Sequence, residues 1–225
     1  MPEFSESAFL TRPRKVTHWW HVQQARKWLV FDQGRHLDSS LVYAAFELRL
    51  AAERLLFELL VLSKDDVLTP EDVERCRSTS GLLAVWREFD PEYRKTLRFS
   101  QLLASIAPDM PEVAFVEPGK LDRMIRDLSE YCHMQLEPSE TFESHDRQFQ
   151  ERGFELLERI LDDFQAWRAE IKYGVIKRES LPEPLRHIYD QYLRDEIDED
   201  SVQRRIQLIS PVLEMQRIVR AMELP

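Results

Sequence analysis

The sequence predicts an all-α protein, a helical bundle of about six to eight helices with a C-terminal helical appendage. Only five of its 225 residues are glycine, and neither Asn-Gly nor Asp-Gly, the pairs most typical of hairpin turns, occurs. The apolar residues recur instead at steps of three and four, the period of an amphipathic helix. Hydrophobic residues make up 43% of the chain, which is enough to form a buried core.

The first part of the chain is predicted to form two long helices. A tryptophan-rich helix is expected over 14–31, ending before Gly34. Asp38 or Ser39 then caps a second helix that extends to about Leu62. One stripe of this helix is wholly apolar, and it consists of Leu41, Ala45, Leu48, Ala52, Leu55, Leu59 and Leu62. An adjoining stripe is also mostly apolar, so we expect this helix to lie in the middle of the bundle.

Proline marks the beginnings of several later helices. The segments Thr69-Pro70-Glu71 and Asp90-Pro91-Glu92 each place a capping side chain before a proline in the first turn. A loop is expected over 108–119. The remaining helices are predicted over the segments 120–136, 139–171, 185–195 and 201–222.

Two parts of the chain are distinguished by composition. Residues 1–174 are expected to form the bundle, which combines the tryptophan-rich helix with a core of about 38–171. Residues 175–225 are expected to form the helical appendage, because Pro182, Pro184 and an acidic turn at 195–200 set this segment apart.

Charge and cysteine content limit the possible functions. The formal net charge of −10 argues against a general DNA-coating protein, which needs many cations to displace counterions from phosphates. No apolar run approaches the roughly 18 residues of a membrane span. No signal-like segment follows Met1, and the two cysteines, Cys76 and Cys132, are far apart. We therefore expect a reduced, cytoplasmic protein without a membrane partner.

The segment from Arg126 to His133 carries the residues with the clearest chemistry. At about 100° per residue, these two side chains project from nearly the same face of one helix. Arginine holds a phosphate or a developing oxyanion, and histidine moves a proton near neutral pH. These groups suit the cleavage of RNA, which carries its own 2′-hydroxyl nucleophile. Because both residues border the apolar stripe of their helix, the alternative is an ordinary solvated face.

This helix carries an arginine, a polar residue, five further residues and a histidine, and it follows a long apolar helix. The pattern resembles that of the HEPN superfamily of prokaryotic helical domains. The resemblance covers about 38–171. It implies metal-independent RNA cleavage without a cofactor, often in phage defence or toxin–antitoxin systems, with Arg126 and His133 catalytic and Asp127 orienting them. It also implies a homodimer whose motif helices meet, and a protein partner of such a system. The tryptophan-rich helix and the tail after Gly174 have no counterpart in the minimal fold.

The alternative is a non-catalytic helical adaptor or antitoxin-like partner. In an enzyme, Arg126 and His133 face their equivalents from a second copy across an accessible groove. In an adaptor, they stand isolated on the surface, and the partner site lies elsewhere, for example on the tryptophan-rich helix.

Arg49 and Glu53 form a second candidate pair. They stand four residues apart on the adjoining stripe of the second long helix, so we expect them to be at least partly buried and paired. Burying charges costs free energy, so their presence needs a reason. They form either a structural ion pair, completed from a neighbouring element, or a pair that positions substrate.

The sequence offers no complete metal site. Glu130 and His133 have the Glu-x-x-His spacing of di-iron bundles, but the chain has no second such motif. His18 and His21 lack a cysteine or carboxylate close in sequence to complete a tetrahedron. We expect these histidines to lie at a packing interface beside the tryptophans. The tryptophans either stack on bases or, as we expect, pack on a neighbouring helix.

Overall fold

The predicted all-α class is confirmed. The computed structural model describes residues 16–32, 38–63, 69–89, 91–106, 116–132, 147–169 and 178–222, which contain nine α-helices, a short 3₁₀ turn at Arg178–Ser180 and no strand. The helices are α1 (His18–Phe31), α2 (Asp38–Ser63), α3 (Pro70–Arg75), α4 (Thr79–Phe89), α5 (Tyr93–Ile106), α6 (Pro118–Cys132), α7 (Arg147–Ala169), α8 (Glu183–Leu193) and α9 (Glu199–Met222). None of the helices in these ranges is long and apolar enough to cross a membrane.

The described residues contain one helix more than the upper end of the predicted range of six to eight, because the segment after Thr69 forms two helices. The hydroxyl of Thr69 accepts a hydrogen bond from the Asp72 amide at 3.1 Å, and the Asp72 carboxylate accepts one from the Thr69 amide at 3.0 Å. This reciprocal cap confirms the predicted beginning of α3. The helix ends at Arg75, and α4 begins after a turn in which the Ser78 hydroxyl accepts from the Gly81 amide at 3.1 Å.

Helix α2 is central to its unit, as predicted, and contacts α1, α4, α6 and α7. The apolar stripe is buried throughout its described side chains, from Leu41 to Leu59. The side chain of Leu62 lies outside the described set. The adjoining stripe is buried only at its C-terminal end, at Leu56 and Leu60, whereas Phe46 is 47% exposed. The open sector of α2 is therefore wider than its apolar pattern implied.

The chain divides into two compact units, and the division differs from the one expected from composition. The first unit contains α1–α4, α6 and α7. The second contains α8 and α9, as expected for the appendage, together with α5. The bundle predicted over 1–174 includes α5. Its apolar stripe packs instead on α8 and α9, because Phe99, Leu102 and Leu103 share one core cluster with Leu185 and Ile188.

Phe99 is at the centre of the second unit. Its ring is fully buried and lies 5.1 Å from the ring of Tyr189, in an edge-to-face arrangement. The Tyr189 hydroxyl is within 2.8 Å of the hydroxyl of Thr96, so this buried polar pair is satisfied. At the surface of the same unit, Arg98 binds both carboxylate oxygens of Glu199. These contacts join α5 to both C-terminal helices.

Two glycines of the first unit, the half-buried Gly81 and the buried Gly153, leave room for other atoms of the chain to come close. Backbone atoms approach Gly81, and side chains approach Gly153. A Cβ atom on Gly81 would lie 1.9 Å from the backbone oxygen of Arg75, which cannot move without disturbing the α3–α4 turn. A Cβ atom on Gly153 would lie 2.7 Å from the Tyr131 ring and 2.8 Å from a Leu41 methyl group, both at the ends of side chains. We expect Gly81→Ala to lower the free energy of unfolding by about 3 kcal/mol.

Gly153→Ala is the matched comparison. The helix propensity gained by alanine, about 1 kcal/mol, offsets part of its overpacking, so its loss should be about 1 kcal/mol or less. Urea unfolding followed by circular dichroism measures both. Equal losses for the two variants would contradict the distinction between backbone and side-chain crowding.

Candidate functional site

The outer face of α6 is charged. Arg126 is exposed, and its guanidinium pairs with the carboxylate of Asp122 one turn earlier, at 3.1 Å. Asp127 is also exposed. Two further exposed charged residues, Arg123 and Glu130, belong to the same face. The opposite face of α6 is buried and supplies the core residues Leu121, Met124, Ile125, Leu128 and Tyr131. The helix is thus strongly amphipathic, and Arg126 projects into solvent.

His133 lies outside the described residues. Helix α6 is described as far as Cys132, the residue that immediately precedes it. There is therefore no distance to give between its imidazole and the guanidinium of Arg126. The pairing of these two residues stays a prediction.

Arg49 and Glu53 are paired and partly buried, as expected. The Arg49 Nε donates to Glu53 Oε1 at 3.1 Å, and the two side chains are 28% and 30% exposed. The hydroxyl of Thr79, at the beginning of α4, donates to the same carboxylate oxygen at 3.3 Å. Arg49 also lies close enough to Cys132, at the end of α6, to lower the pKa of its thiol. The pair therefore joins α2 to α4, and its guanidinium lies near the residue that precedes His133 in the sequence.

Burial and the nearby charge of Arg49 change the pKa of the Cys132 thiol in opposite directions. Burial raises the pKa of Cys132, and the charge and hydrogen bond of Arg49 oppose that rise without cancelling it. Cys132 is therefore mainly protonated near neutral pH. It is not joined to Cys76 in a disulfide.

The two histidines of α1 bind different carboxylates. The Nδ1 atom of His18 lies 2.5 Å from Glu58 Oε2, and that of His21 lies 2.6 Å from Glu47 Oε2. Both carboxylates belong to α2, which agrees with the expected packing interface. Within the ranges that the structure describes, no group of three or more histidine, cysteine, aspartate or glutamate side chains is placed to hold a metal ion.

Glu58 receives a second partner from its own helix. The Nε atom of Arg54 donates to Glu58 Oε1 at 3.1 Å, so both oxygens of this buried carboxylate are bound. Burial by itself raises the pKa of Glu58, but His18 and Arg54 together outweigh that effect and leave the pKa below its ordinary value. This carboxylate is consequently ionised wherever the protein is folded near neutral pH.

The tryptophans of α1 differ in what they contact and in how exposed they are. Trp19 packs under Arg168 of α7, whose guanidinium carbon lies 4.1 Å from the ring centroid, and Trp28 stacks on Tyr43 of α2 at 4.7 Å. Packing against neighbouring helices is therefore confirmed for these two. Trp20 is 41% exposed, so it is not covered in the same way.

Sequence reasoning missed the partners of the Arg49–Glu53 pair. Thr79 and Cys132 are distant from it in sequence, and no spacing rule connects α2 with the beginning of α4 or the end of α6. It also missed the carboxylates of α2 that bind His18 and His21. The only signal was indirect, since Glu47 and Glu58 interrupt apolar surface on α2 and so required polar partners.

Comparisons of the chain with protein-family models, with curated proteins and with solved structures give no match. Inference about function therefore depends on the residues of this chain.

The ionised Glu58 predicts how stability varies with pH. Its pKa is lower in the folded than in the unfolded chain, so it stabilises the fold above its unfolded pKa, and this contribution is lost as pH falls through the folded pKa. We expect Glu58→Gln to cost about 1–3 kcal/mol at pH 7, because a buried charged hydrogen-bond partner is removed. This loss of unfolding free energy should be smaller at pH 3, because Glu58 of the unaltered protein becomes protonated there.

Glu130→Gln is the control, since Glu130 is exposed on α6 and the change in charge is the same. Its effect should stay within about 0.5 kcal/mol at both pH values. Thermal and urea unfolding at several pH values measure the difference. A Glu58→Gln cost that does not change between pH 7 and pH 3 would rule out an ionised Glu58 as its source.

The effect of Arg49 on the pKa of Cys132 predicts how the reactivity of this thiol varies with pH. Since Arg49 holds the pKa of Cys132 down, Arg49→Gln should raise it, and alkylation of Cys132 by iodoacetamide should shift to higher pH. Mass spectrometry resolves Cys132 from Cys76, which serves as an internal control in the same molecule. An unchanged pH profile for Cys132 would show that the guanidinium does not act on this thiol.

Proposed function

We propose that the protein is a HEPN-like endoribonuclease that cuts RNA without a metal ion or cofactor. Arg126 and His133 are its catalytic pair, and Asp127 orients them. The proposal is supported most by the setting of α6, which presents Arg126 to solvent and whose last described residue, Cys132, lies near a second guanidinium, that of Arg49. A phosphodiester bound here would meet the exposed guanidinium of Arg126, in competition with the carboxylate of Asp122.

The proposed reaction needs no group beyond the RNA and these side chains. His133 takes the proton of the 2′-hydroxyl, and the imidazolium that forms delivers this proton to the leaving 5′-oxygen. The 2′-oxygen attacks phosphorus, and the bond from phosphorus to the 5′-oxygen breaks, which gives a 2′,3′-cyclic phosphate and a 5′-hydroxyl. General acid–base catalysis of this kind contributes roughly 10²–10⁴-fold. Arg126 stabilises the charge that develops on the non-bridging oxygens.

Arg49 and Glu53 have a positioning role in this proposal. Glu53 holds the guanidinium of Arg49 in one orientation, and Thr79 holds Glu53. The partly buried guanidinium of Arg49 lies near Cys132, so in this proposal the pair positions the end of α6 against α2. A cytoplasmic setting in phage defence or a toxin–antitoxin system follows from the HEPN resemblance and belongs to the same proposal.

A second candidate is a non-catalytic helical adaptor. It is favoured by the ion pair between Arg126 and Asp122, which gives the arginine a partner on its own helix. It is also favoured by the exposed aromatic residues of α1 and α2. The two candidates differ in one measurable property, which is RNA cleavage by the purified protein.

We expect the purified protein to cut structured or single-stranded RNA in EDTA and to leave 2′,3′-cyclic phosphate ends. His133→Ala and Arg126→Ala should each reduce the cleavage rate about 100-fold or more. Arg123→Ala removes an exposed arginine from the same helix and is the matched control, with a rate close to that of the unaltered protein. Gel electrophoresis of end-labelled RNA and circular dichroism of each variant provide the measurements.

Cleavage that persists in His133→Ala would exclude the proposed catalytic residue. A protein that binds no RNA and cuts none under these conditions would favour the adaptor.

A further inference from the structure

Two arginines lie against one tryptophan where α1 meets α7. The guanidinium carbon of Arg168 lies 4.1 Å from the centroid of the Trp19 ring, and that of Arg26 lies 5.6 Å from it. Because both distances are measured to one ring, the two guanidinium carbons are at most about 10 Å apart. Arg26 also donates a hydrogen bond to the side-chain oxygen of Gln165 on α7, at 2.9 Å. The two cations are therefore held close together.

The cations at this place bind neutral groups. Arg26 binds Gln165, and the exposed Lys27 donates to the side-chain oxygen of Gln24 at 3.3 Å. Within the ranges that the structure describes, none of Arg26, Lys27 and Arg168 has a carboxylate at ion-pairing distance. We call these three residues the cationic cluster. On a chain with a net charge of −10, three cations without carboxylate partners give this surface a local positive potential.

The acidic residues of the neighbouring helices leave the cationic cluster unneutralised. Helix α1 itself contains no aspartate or glutamate. On α7, Asp163 is bound by Lys120 of α6 at 2.6 Å. Asp162 precedes Arg168 by six residues, which is about 9 Å along a helix axis. The carboxylates of α2 that face α1 are bound by the two histidines of α1.

The contact with Trp19 leaves Arg168 able to bind a ligand. Arg168 is exposed, and it donates no hydrogen bond to the residues that the structure describes. A guanidinium over a ring keeps its N–H donors in its own plane, where they match the oxygens of a phosphate group. The ring also restricts the motion of the guanidinium before a ligand arrives, which lowers the entropic cost of binding.

An exposed indole lies on the same helix as two of these cations. Trp20 is 41% exposed, and it follows Trp19 in the sequence. Lys27 comes seven residues after Trp20, so the two side chains project from nearly the same face of α1. An exposed ring beside cations is the arrangement that holds single-stranded nucleic acids, because the cations bind the phosphates and every base has a face that can stack.

We propose that the cationic cluster and Trp20 form a binding site for a single strand of RNA, in which the cluster binds phosphates and a base stacks on Trp20. The choice of RNA as the ligand rests on the proposed function. The site itself belongs to α1 and α7, whereas the proposed catalytic arginine belongs to α6. Since α1 has no counterpart in the minimal HEPN fold, the resemblance does not imply this site. Its role is to hold the strand, not to take part in the chemical step.

The test is the binding of a 2′-O-methyl RNA of about 12 nucleotides, a length within the range that single-strand binding proteins cover. The methyl group blocks the proposed nucleophile, so binding to the unaltered chain is measured without cleavage. Fluorescence anisotropy of the labelled strand at several salt concentrations gives the affinity and its dependence on salt. Each phosphate contact that is lost should reduce the magnitude of the slope of log K against log salt by about 0.7.

We expect the double variant Arg26→Gln, Arg168→Gln to bind about 10-fold more weakly and to reduce this slope by about 1.4. Lys27→Gln should reduce the slope by about 0.7, and it alters only an exposed side chain, so it tests the cluster even if the double variant does not fold. Trp20→Ala should weaken binding about 10-fold and leave the slope unchanged, because an indole carries no charge.

The chain offers a matched control for each kind of change. Arg205→Gln is the control for charge, since Arg205 is exposed on α9 and also binds a glutamine, Gln191. Phe46→Ala is the control for an aromatic ring, since Phe46 is about as exposed as Trp20. Both controls should bind the strand as the unaltered chain does. Circular dichroism of every variant shows whether it is folded.

Several results would overturn the proposal. One is a strand that does not bind at low salt, and another is a folded double variant that binds normally. Equal losses in the double variant and in Arg205→Gln would show that binding follows total charge alone. Full competition by inorganic polyphosphate, together with normal binding by Trp20→Ala, would show that the ligand is not a nucleic acid.

The nuclease and the binding site can fail separately. If the methylated strand binds as expected but ordinary RNA is not cut, the nuclease proposal fails and the site on α1 and α7 stands. If ordinary RNA is cut and the double variant cuts it with unchanged kcat and KM, the site fails and the nuclease proposal stands.

Discussion

The burial of α2 is the constraint on which the first unit depends. Its stripe from Leu41 to Leu59 is fully covered, and covering it requires helices on several sides at once. Burying one leucine side chain stabilises a fold by roughly 1.5–3 kcal/mol, so this stripe supplies a large share of the hydrophobic stabilisation. The position of α6, and with it that of Arg126, follows from this packing, since α6 contacts α2 along its buried face.

The polar residues of α2 show how a nearly all-apolar helix accommodates charge. Glu47 and Glu58 meet histidines of α1, and Glu53 meets Arg49 and the hydroxyl of Thr79. Each carboxylate therefore has a partner, which avoids the desolvation cost of an isolated charge. These contacts also fix which turn of α1 or α4 lies against which turn of α2. Apolar packing alone specifies that register less sharply, because neighbouring apolar positions can substitute for one another.

Much of the fold could be predicted because it is encoded locally. The stripe of α2 follows from periodicity, and the beginning of α3 follows from Thr69 and Pro70. The partner of α5 could not be predicted, because an amphipathic stripe shows that a helix is covered but not by which helix. The turn before α4 was missed for a similar reason. It depends on Gly81 allowing the chain to pass beside the Arg75 carbonyl, a close approach between backbone atoms that no composition signal marks.

The candidate site could be predicted from the sequence only in part, for the same reason. The spacing of Arg126 placed it correctly at the solvent side of an amphipathic helix, because that depends only on helical geometry. The approach of Arg49 to Cys132 depends on how two helices distant in sequence cross, which spacing cannot supply. The exposure of Phe46 shows a second limit of reasoning from sequence. An aromatic residue within an apolar stripe is read from sequence as core, and yet half of this one faces solvent. Among the residues that the structure describes, the helices around α2 cover Leu56 and Leu60 of this stripe but only part of Phe46. Periodicity therefore locates the apolar sectors of a helix, whereas the packing of distant helices decides how much of each sector is buried.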